Sequence, residues 1–188
     1  MDKSLSDMTL EELWELFPIV LAEHNADWNQ WYAEEEKRLT GIIQTNGIRI
    51  NHIGSTAINN IWAKPIIDIL VELPKSMPME RVKYILVQNG YICMSKQTNR
   101  ISFNMGYTSN GYAEKVYHLH LRYLGDNDEL YFRDYMNDNV LLAKQYEKLK
   151  LSLWKKYEHD RDTYTLSKTD FITEQTAKAK RCYGNKYA

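Results

Sequence analysis

The chain has 188 residues, 44% of them hydrophobic, which suffices for one domain with a substantial core. Its 24 lysines and arginines nearly balance its 25 aspartates and glutamates, so the composition gives no strong nucleic-acid-binding signal. The two cysteines lie outside any paired motif, which favours a cytoplasmic protein. The sequence lacks an apolar segment long enough to enter a membrane. We expect a single domain over residues 1–188.

The chain is predicted to begin with two helices. Thr9, closely followed by glutamates, can cap a first helix that continues to about His24. Asp27 can cap a second helix, which ends near the turn residues 45–47. Both helices precede the region in which the sequence pattern changes to strands.

Period-two alternation and turn residues predict four strands, at residues 48–53, 64–73, 100–107 and 114–124. Helical patterns follow at residues 76–91, 128–138, 140–157 and 167–183. The apolar stripes of the later helices are typical of core packing rather than of a cofactor site. Mixed strands and helices of this kind predict an α/β fold.

Three of the strands alternate between an apolar and a polar face. The apolar sets are Ile67, Ile69, Val71 and Leu73; Ile101, Phe103, Met105 and Tyr107; and Tyr117, Leu119, Leu121 and Tyr123. The opposing sets are Asp68, Leu70 and Glu72; Arg100, Ser102 and Asn104; and His118, His120 and Arg122. Three such strands in one sheet would gather an aspartate, two histidines and two arginines on one open face, which is the predicted site of chemistry.

A Gly-Ser turn follows the first strand. Gly54 lets the backbone approach a bulky anion, and the amides around Ser55 and Thr56 would then point at phosphate oxygens. Lys64 would add a positive charge, and Asp68 would bind a divalent metal ion. The structural alternative is a tight turn beside an aspartate that is hydrogen-bonded locally.

Residues 52–73, HIGSTAINNIWAKPIIDILVEL, strongly resemble the signature of the GrpB family. The resemblance covers nearly the whole chain and continues, in order, in DWNQWYAEEEKRL, VYHLHLRYLGD, YFRDYMNDN, LAKQYEKLK and YTLSKTDFITEQTAKAK. It implies a nucleotidyltransferase-like fold, similar to the sheet core of DNA polymerase beta, with a mixed β-sheet and helices packed mainly on one face. It does not imply a particular reaction.

The nucleotidyltransferase pattern that this resemblance implies is only partly present. In that superfamily a Gly-Ser turn precedes a strand with two acids one residue apart, and a third acid lies on a later strand. Asp68 matches the first acid, but Leu70 stands in place of the second. Glu72 lies ~13 Å along the strand from Asp68, whereas two catalytic ions lie about 3.5–4 Å apart. The resemblance therefore leaves a two-metal site incomplete.

Two functional hypotheses follow, besides a purely structural role. In the first, one divalent ion (Mg²⁺, Mn²⁺ or Zn²⁺) supports nucleotidyl transfer from a nucleoside triphosphate. In the second, the basic face binds a small nucleotide or related phosphate ester without catalysis. The candidate metal ligands are Asp68, His118 and His120, and Asp68 is also the candidate catalytic residue. The candidate phosphate-binding residues are Gly54, Ser55, Thr56, Lys64, Arg100 and Arg122.

One lysine stands at an unusual place. Lys168 lies at the start of the last predicted helix, where a positive charge opposes the helix dipole. A bound anion nearby would explain this position, and an exposed lysine is the alternative interpretation.

Overall fold

The computed structural model describes residues 4–187. Within that range the helices are α1 (Leu10–Leu16), α2 (Asp27–Ile43), α3 (Met79–Gln88), α4 (Asp128–Asp138), α5 (Val140–Lys156), α6 (Arg161–Leu166) and α7 (Thr169–Tyr183). The strands are β1 (Arg49–Ile53), β2 (Ile67–Leu73), β3 (Ile92–Lys96), β4 (Arg100–Thr108) and β5 (Gly111–Tyr123). In this part of the chain, no helix combines the length and the apolar character needed to cross a membrane.

The five strands form one mixed sheet in the order β1-β2-β5-β4-β3. β2 runs parallel to β5, and the other neighbouring pairs are antiparallel. The predicted α/β fold with a mixed sheet is therefore confirmed. The edge strand β3 and the short helix α6 were not predicted, because neither carries a clear apolar period in the sequence.

The two faces of the sheet are covered differently. On one face, α2 and α3 pack against the alternating apolar residues of β2, β4 and β5, with Trp28, Leu39, Val82 and Leu86 in the core. On the opposite face, Leu130 of α4 packs against Ile53 and Leu70. α4 covers only part of this second face. A cleft lies between the rest of the face and the helices α5, α6 and α7.

Helix α1 is shorter than predicted. The capping box is present, since the Thr9 amide donates to Glu12 Oε2 (2.6 Å) and the Glu12 amide donates to Thr9 Oγ1 (3.2 Å). The helix nevertheless ends at Leu16, not near His24, because Pro18 lacks an amide hydrogen and disfavours helical geometry at the residue before it.

A bulge in the pairing of β4 with β5 changes the face on which Tyr107 lies. The pairing with β5 shifts between Met105 and Tyr107, and Gly106 between them has φ +90°. A Cβ at Gly106 would lie 2.4 Å from the Lys115 carbonyl oxygen, so only glycine fits there. The assignment of Tyr107 to the apolar face was wrong, because the bulge turns its hydroxyl toward His118 on the open face.

Candidate functional site

The strand register brings the predicted polar residues onto one face. Asp68 of β2 is paired with His118 of β5, and His118 is paired in turn with Asn104 of β4. His120 is paired with Leu70 on β2 and with Ser102 on β4 in the same way. Directly paired residues point to the same side of a sheet, so the shared polar face predicted from the alternation is confirmed.

A cavity of about 600 Å³ opens over this face. It lies between the Gly-Ser turn, the sheet and the helices α4, α5, α6 and α7. Its volume is within the range of small-molecule sites, roughly 300–1,000 Å³. The charged and titratable lining residues, apart from two tyrosines, are Lys64, Asp68, Arg100, His118, Asp128, Glu129, Lys150, Lys168 and Lys180. Gly54 and Ser55 line the same cavity.

Asp68 lies against both histidines. Its Oδ1 is 3.3 Å from Nδ1 of His118 and 3.7 Å from Nε2 of His120. Burial raises the pKa of the Asp68 carboxyl, but hydrogen bonding with His118 and then with His120 outweighs this effect, so the pKa falls below its ordinary value. Asp68 is therefore a carboxylate at neutral pH. On its other side it abuts Gly54, where a Cβ would lie 2.2 Å from Asp68 Oδ2.

A chain of hydrogen bonds fixes the His118 ring. Arg161 Nη2 donates to the Tyr107 hydroxyl (2.9 Å), and that hydroxyl lies 2.8 Å from Nε2 of His118. Because arginine only donates, Tyr107 is free to donate its own hydrogen to Nε2, which leaves the ring hydrogen on Nδ1, facing Asp68. Burial lowers the pKa of His118, with Asp68 opposing that shift, so the neutral ring in this tautomer matches its surroundings.

The residues beside Asp68 do not fit the divalent metal ion that a nucleotidyltransferase-like fold implies. The second acid position holds Leu70, which is fully buried. His118 uses both ring nitrogens, one toward Asp68 and one toward Tyr107. Among residues 4–187, no group of three or more His, Cys, Asp or Glu side chains is arranged to hold a metal ion. The metal site predicted at Asp68, His118 and His120 therefore gains no support from the geometry.

Three lysines from separate elements meet in the cleft. Lys64 precedes β2, Lys150 lies on α5, and Lys168 is the residue before α7. The ammonium groups of Lys64 and Lys168 lie 5.3 Å and 4.1 Å from the centre of the Tyr164 ring. Lys150 Nζ lies 4.9 Å from the Tyr146 ring centre and donates to the Trp62 carbonyl oxygen.

These three amines have perturbed pKa values. Desolvation lowers the pKa of Lys64 to about 7, and the charges of Lys168 and Arg161 add to the effect. Desolvation, followed by the charge of Lys168, lowers the pKa of Lys150 to about 7. Desolvation also lowers the pKa of Lys168 to about 8, although Asp68 opposes this shift. Within the described residues, none of the three forms a salt bridge, so the cleft holds mutually repelling cations without partner carboxylates in contact.

Two residues predicted to bind phosphate, one of them through its backbone amide, have side chains that do not reach the cleft. The Thr56 side chain lies beneath the turn, 1% exposed, where Oγ1 donates to the Ile66 carbonyl (3.3 Å) and contacts His52 Nε2 (2.9 Å). Arg122 is 6% exposed and lies beside the carboxylates of Asp126 and Glu129, at 3.7 Å and 3.8 Å. A phosphate contact through the Thr56 amide stays a prediction, whereas the Arg122 side chain does not line the cavity, because it lies beside the carboxylates of Asp126 and Glu129.

Arg100 lies at the rim of the cavity. Its guanidinium makes two hydrogen bonds to the Asp126 carboxylate, at 2.8 Å and 2.6 Å, so its charge is already paired. Lys180, also at the cavity, forms a similar pair with Asp128 (2.5 Å). The unpaired positive charge of the cleft therefore comes from the three lysines deeper inside.

Sequence reasoning missed several lining residues. Tyr146 was assigned to an apolar helical stripe, and it is indeed buried, but it lines the cavity together with Ser55 of the turn. Lys150 lies one helical turn after Tyr146, on the same buried face, and a lysine at such a position was the available signal. Tyr164 of α6 carried no comparable signal.

The sheet order, the Gly-Ser turn and the aspartate beside it define a nucleotidyltransferase-like α/β protein. The family model described as GrpB protein matches residues 18–178. The chain belongs to the GrpB family.

Curated relatives agree with this assignment. The glutamate-rich protein GrpB of Alkalihalophilus pseudofirmus is 36% identical over 161 residues, which cover 83% of this chain and 92% of that protein. The UPF0157 protein YqkA of Bacillus subtilis is 32% identical over 161 residues, covering 84% of this chain and 46% of YqkA. The chain thus spans the length of the first relative and about half of the second.

Solved structures extend the comparison. The crystal structure of conserved protein GrpB from Enterococcus faecalis has a TM-score of 0.76 at 26% identity, covering 87% of this chain and 99% of that chain. Cid1 in complex with its short product ApU has a TM-score of 0.52 at 9% identity, covering 79% of this chain and 45% of Cid1. The likeness to Cid1 is one of fold alone.

Proposed function

We propose that the cleft binds a nucleotide or a related phosphate ester. The observation that carries this proposal is the convergence of Lys64, Lys150 and Lys168 in one cavity beside the Gly-Ser turn, without carboxylates in contact. An anion bound among these amines would relieve their mutual repulsion and restore their protonated forms. Structural cation clusters of this kind are normally neutralised by acidic neighbours in direct contact, whereas in the described part of the chain Asp68 and Glu147 act on these three lysines only at longer range.

The remainder of the cavity suits the uncharged part of such a ligand. Phe132, Tyr146 and Ile172 line it with apolar surface, while Ser55 and Thr173 add hydroxyl groups. Ligand pockets commonly combine a mostly apolar wall with a few polar groups that fix orientation. The lysines would hold the phosphate, and the apolar wall would contact the sugar, base or other ester group.

Binding is tested by thermal unfolding with ATP, with phosphorylated coenzyme A precursors and with other phosphate esters. A ligand at ~100 times its dissociation constant adds about 2.7 kcal/mol to the free energy of unfolding. For a chain of this size that raises Tm by roughly 5–10 °C. No shift with any phosphorylated metabolite would favour the structural alternative.

A matched pair of variants assigns the effect to the cleft. Ser55→Trp fills the cavity beside the turn and should cancel the ligand-induced shift, while the free protein stays folded. Ser76→Trp, on an exposed turn away from the cavity, should leave the shift unchanged. An equal shift in both variants would place the ligand elsewhere.

Nucleotidyl transfer is a second candidate function. It is favoured by the close contact of Gly54 with Asp68, since the superfamily places its first acid beside this turn. Transfer predicts that a nucleoside triphosphate is consumed in the presence of Mg²⁺, Mn²⁺ or Zn²⁺ and that Asp68→Ala abolishes the turnover. If no triphosphate is consumed across a broad panel of acceptors, this candidate is rejected and binding alone remains.

A further inference from the structure

We propose that the cleft binds the diphosphate or triphosphate group of its ligand through lysine amines directly, without a divalent ion between phosphate and protein. This inference rests on the proposed function and specifies its ligand class: a polyphosphate anion free of metal. It departs from what a nucleotidyltransferase-like fold implies, and three features of the open face carry it.

The first feature is the apolar filling of the second acid position. Leu70 is 0% exposed and packs against Ile53 and Leu130. The next acid on the strand, Glu72, is also 0% exposed, and its Oε1 accepts hydrogen bonds from Asn127 Nδ2 (2.9 Å) and the Gly125 amide (3.2 Å). Neither of these two strand positions therefore offers Asp68 a second carboxylate that could share an ion with it.

The second feature is the engagement of His118. Its Nε2 is bonded to the Tyr107 hydroxyl (2.8 Å), and its Nδ1 faces Asp68 (3.3 Å). A histidine binds a metal through a ring nitrogen that has a free lone pair. The hydrogen-bond chain from Arg161 occupies that lone pair, so His118 supports the orientation of Asp68 instead of supplying a ligand.

The third feature is the set of amines that a bound anion would hold in the protonated form. Lys64, Lys150 and Lys168 approach the cavity from three elements, and within the described residues none of them forms a salt bridge, although Asp68 and Glu147 act on them at longer range. Divalent ions in phosphate sites neutralise phosphate oxygens, and ammonium groups can supply the same charge. Three amines match the several charges of a diphosphate or triphosphate better than those of a monoester.

Isothermal titration calorimetry with inorganic phosphate, pyrophosphate, tripolyphosphate and ATP tests the inference, first in EDTA and then in excess Mg²⁺. We expect binding in EDTA that strengthens from phosphate to tripolyphosphate and is not tightened by Mg²⁺, since Mg²⁺ neutralises charges that the lysines would otherwise contact. Binding that appears only with Mg²⁺ or Mn²⁺ would overturn the inference but leave the proposed function standing. Absence of binding in both conditions would refute the proposed function itself.

Variants assign the metal-free binding to the amines. Lys150→Met and Lys168→Met should each weaken tripolyphosphate binding in EDTA about tenfold or more, which corresponds to about 1.4 kcal/mol. Lys148→Met, on the exposed side of α5, is the matched control and should bind like the parent protein. Circular dichroism and thermal unfolding establish that each variant is folded. Unchanged affinity in both folded cleft variants would contradict the inference.

Discussion

The two faces of the sheet differ in polarity and in their contribution to stability. The face under α2 and α3 is a continuous apolar core in which side-chain volume determines stability. The opposite face holds Asp68, two imidazoles and the nearby lysines, whose arrangement opposes rather than promotes stability. The difference separates a face stabilised by packing from the face that is proposed to bind a ligand, and the following variants test it.

The largest effect is expected on the apolar face. Leu119 is fully buried there, next in sequence to His118 on the open face. Leu119→Ala should lower the free energy of unfolding by about 2–5 kcal/mol, because it leaves a cavity in the core. Urea unfolding measures this, with the exposed Glu114→Ala as control. A loss below 1 kcal/mol would contradict the assignment of this face.

A smaller loss of stability is expected from a substitution at the bulge beside Tyr107. Gly106→Ala would place a Cβ against the Lys115 carbonyl oxygen at a positive φ. We expect a loss of about 2–3 kcal/mol in the free energy of unfolding. Gly125→Ala, which has a similar φ but open space around it, separates the backbone strain from the steric clash. Equal losses in the two variants would show that the contact with Lys115 is unimportant.

The hydrogen-bond chain to Asp68 is expected to contribute less. Tyr107→Phe removes the hydroxyl that bonds to His118 and should cost about 1 kcal/mol. The sharper readout is nitrogen-15 NMR of the histidine ring, in which the parent protein should show hydrogen on Nδ1 and the variant a higher His118 pKa. A parent ring protonated on Nε2 would contradict the proposed direction of the chain. Tyr84→Phe, at a tyrosine that is 67% exposed, is the control.

The smallest expected effect is a gain in stability instead of a loss. Lys150→Met should raise the free energy of unfolding by about 1 kcal/mol at pH 6, because it removes a buried charge. The pKa of Lys150 is lowered to about 7 in the folded chain, against an ordinary value near 10.5, so the unfolded chain binds more protons between these values. The parent protein therefore gains stability as pH rises through that range, and the advantage of the variant should shrink. An advantage that grows with pH would refute the assigned shift.

The features of the fold and of the cleft that depend on local sequence patterns could be predicted from the sequence. Period-two alternation placed Asp68 and His118 on one face, and the β2–β5 register confirmed it. The helical stripe of α5 was equally readable, because an apolar period of three to four residues is a local property. The Gly-Ser turn and its aspartate were accessible through the family resemblance.

Other features depended on contacts between distant elements. The position of Tyr107 depended on one bulge, and the lysine cluster depended on how α5 and α7 meet a loop near residue 64. Arg122 does not line the cavity, because its side chain lies beside acids that α4 and its preceding loop bring close. Such contacts follow from the tertiary arrangement, which no local pattern encodes.

The bulge at Gly106 has a consequence for how this strand tolerates changes in length. Met105 and Tyr107 face opposite sides of the sheet although one residue separates them, so deleting Gly106 would make them neighbours that still alternate. Tyr107 would then keep its side toward His118. Deleting a residue elsewhere in this strand would instead exchange inward and outward positions beyond that point, and such a deletion is expected to be more damaging to the cleft than the loss of Gly106.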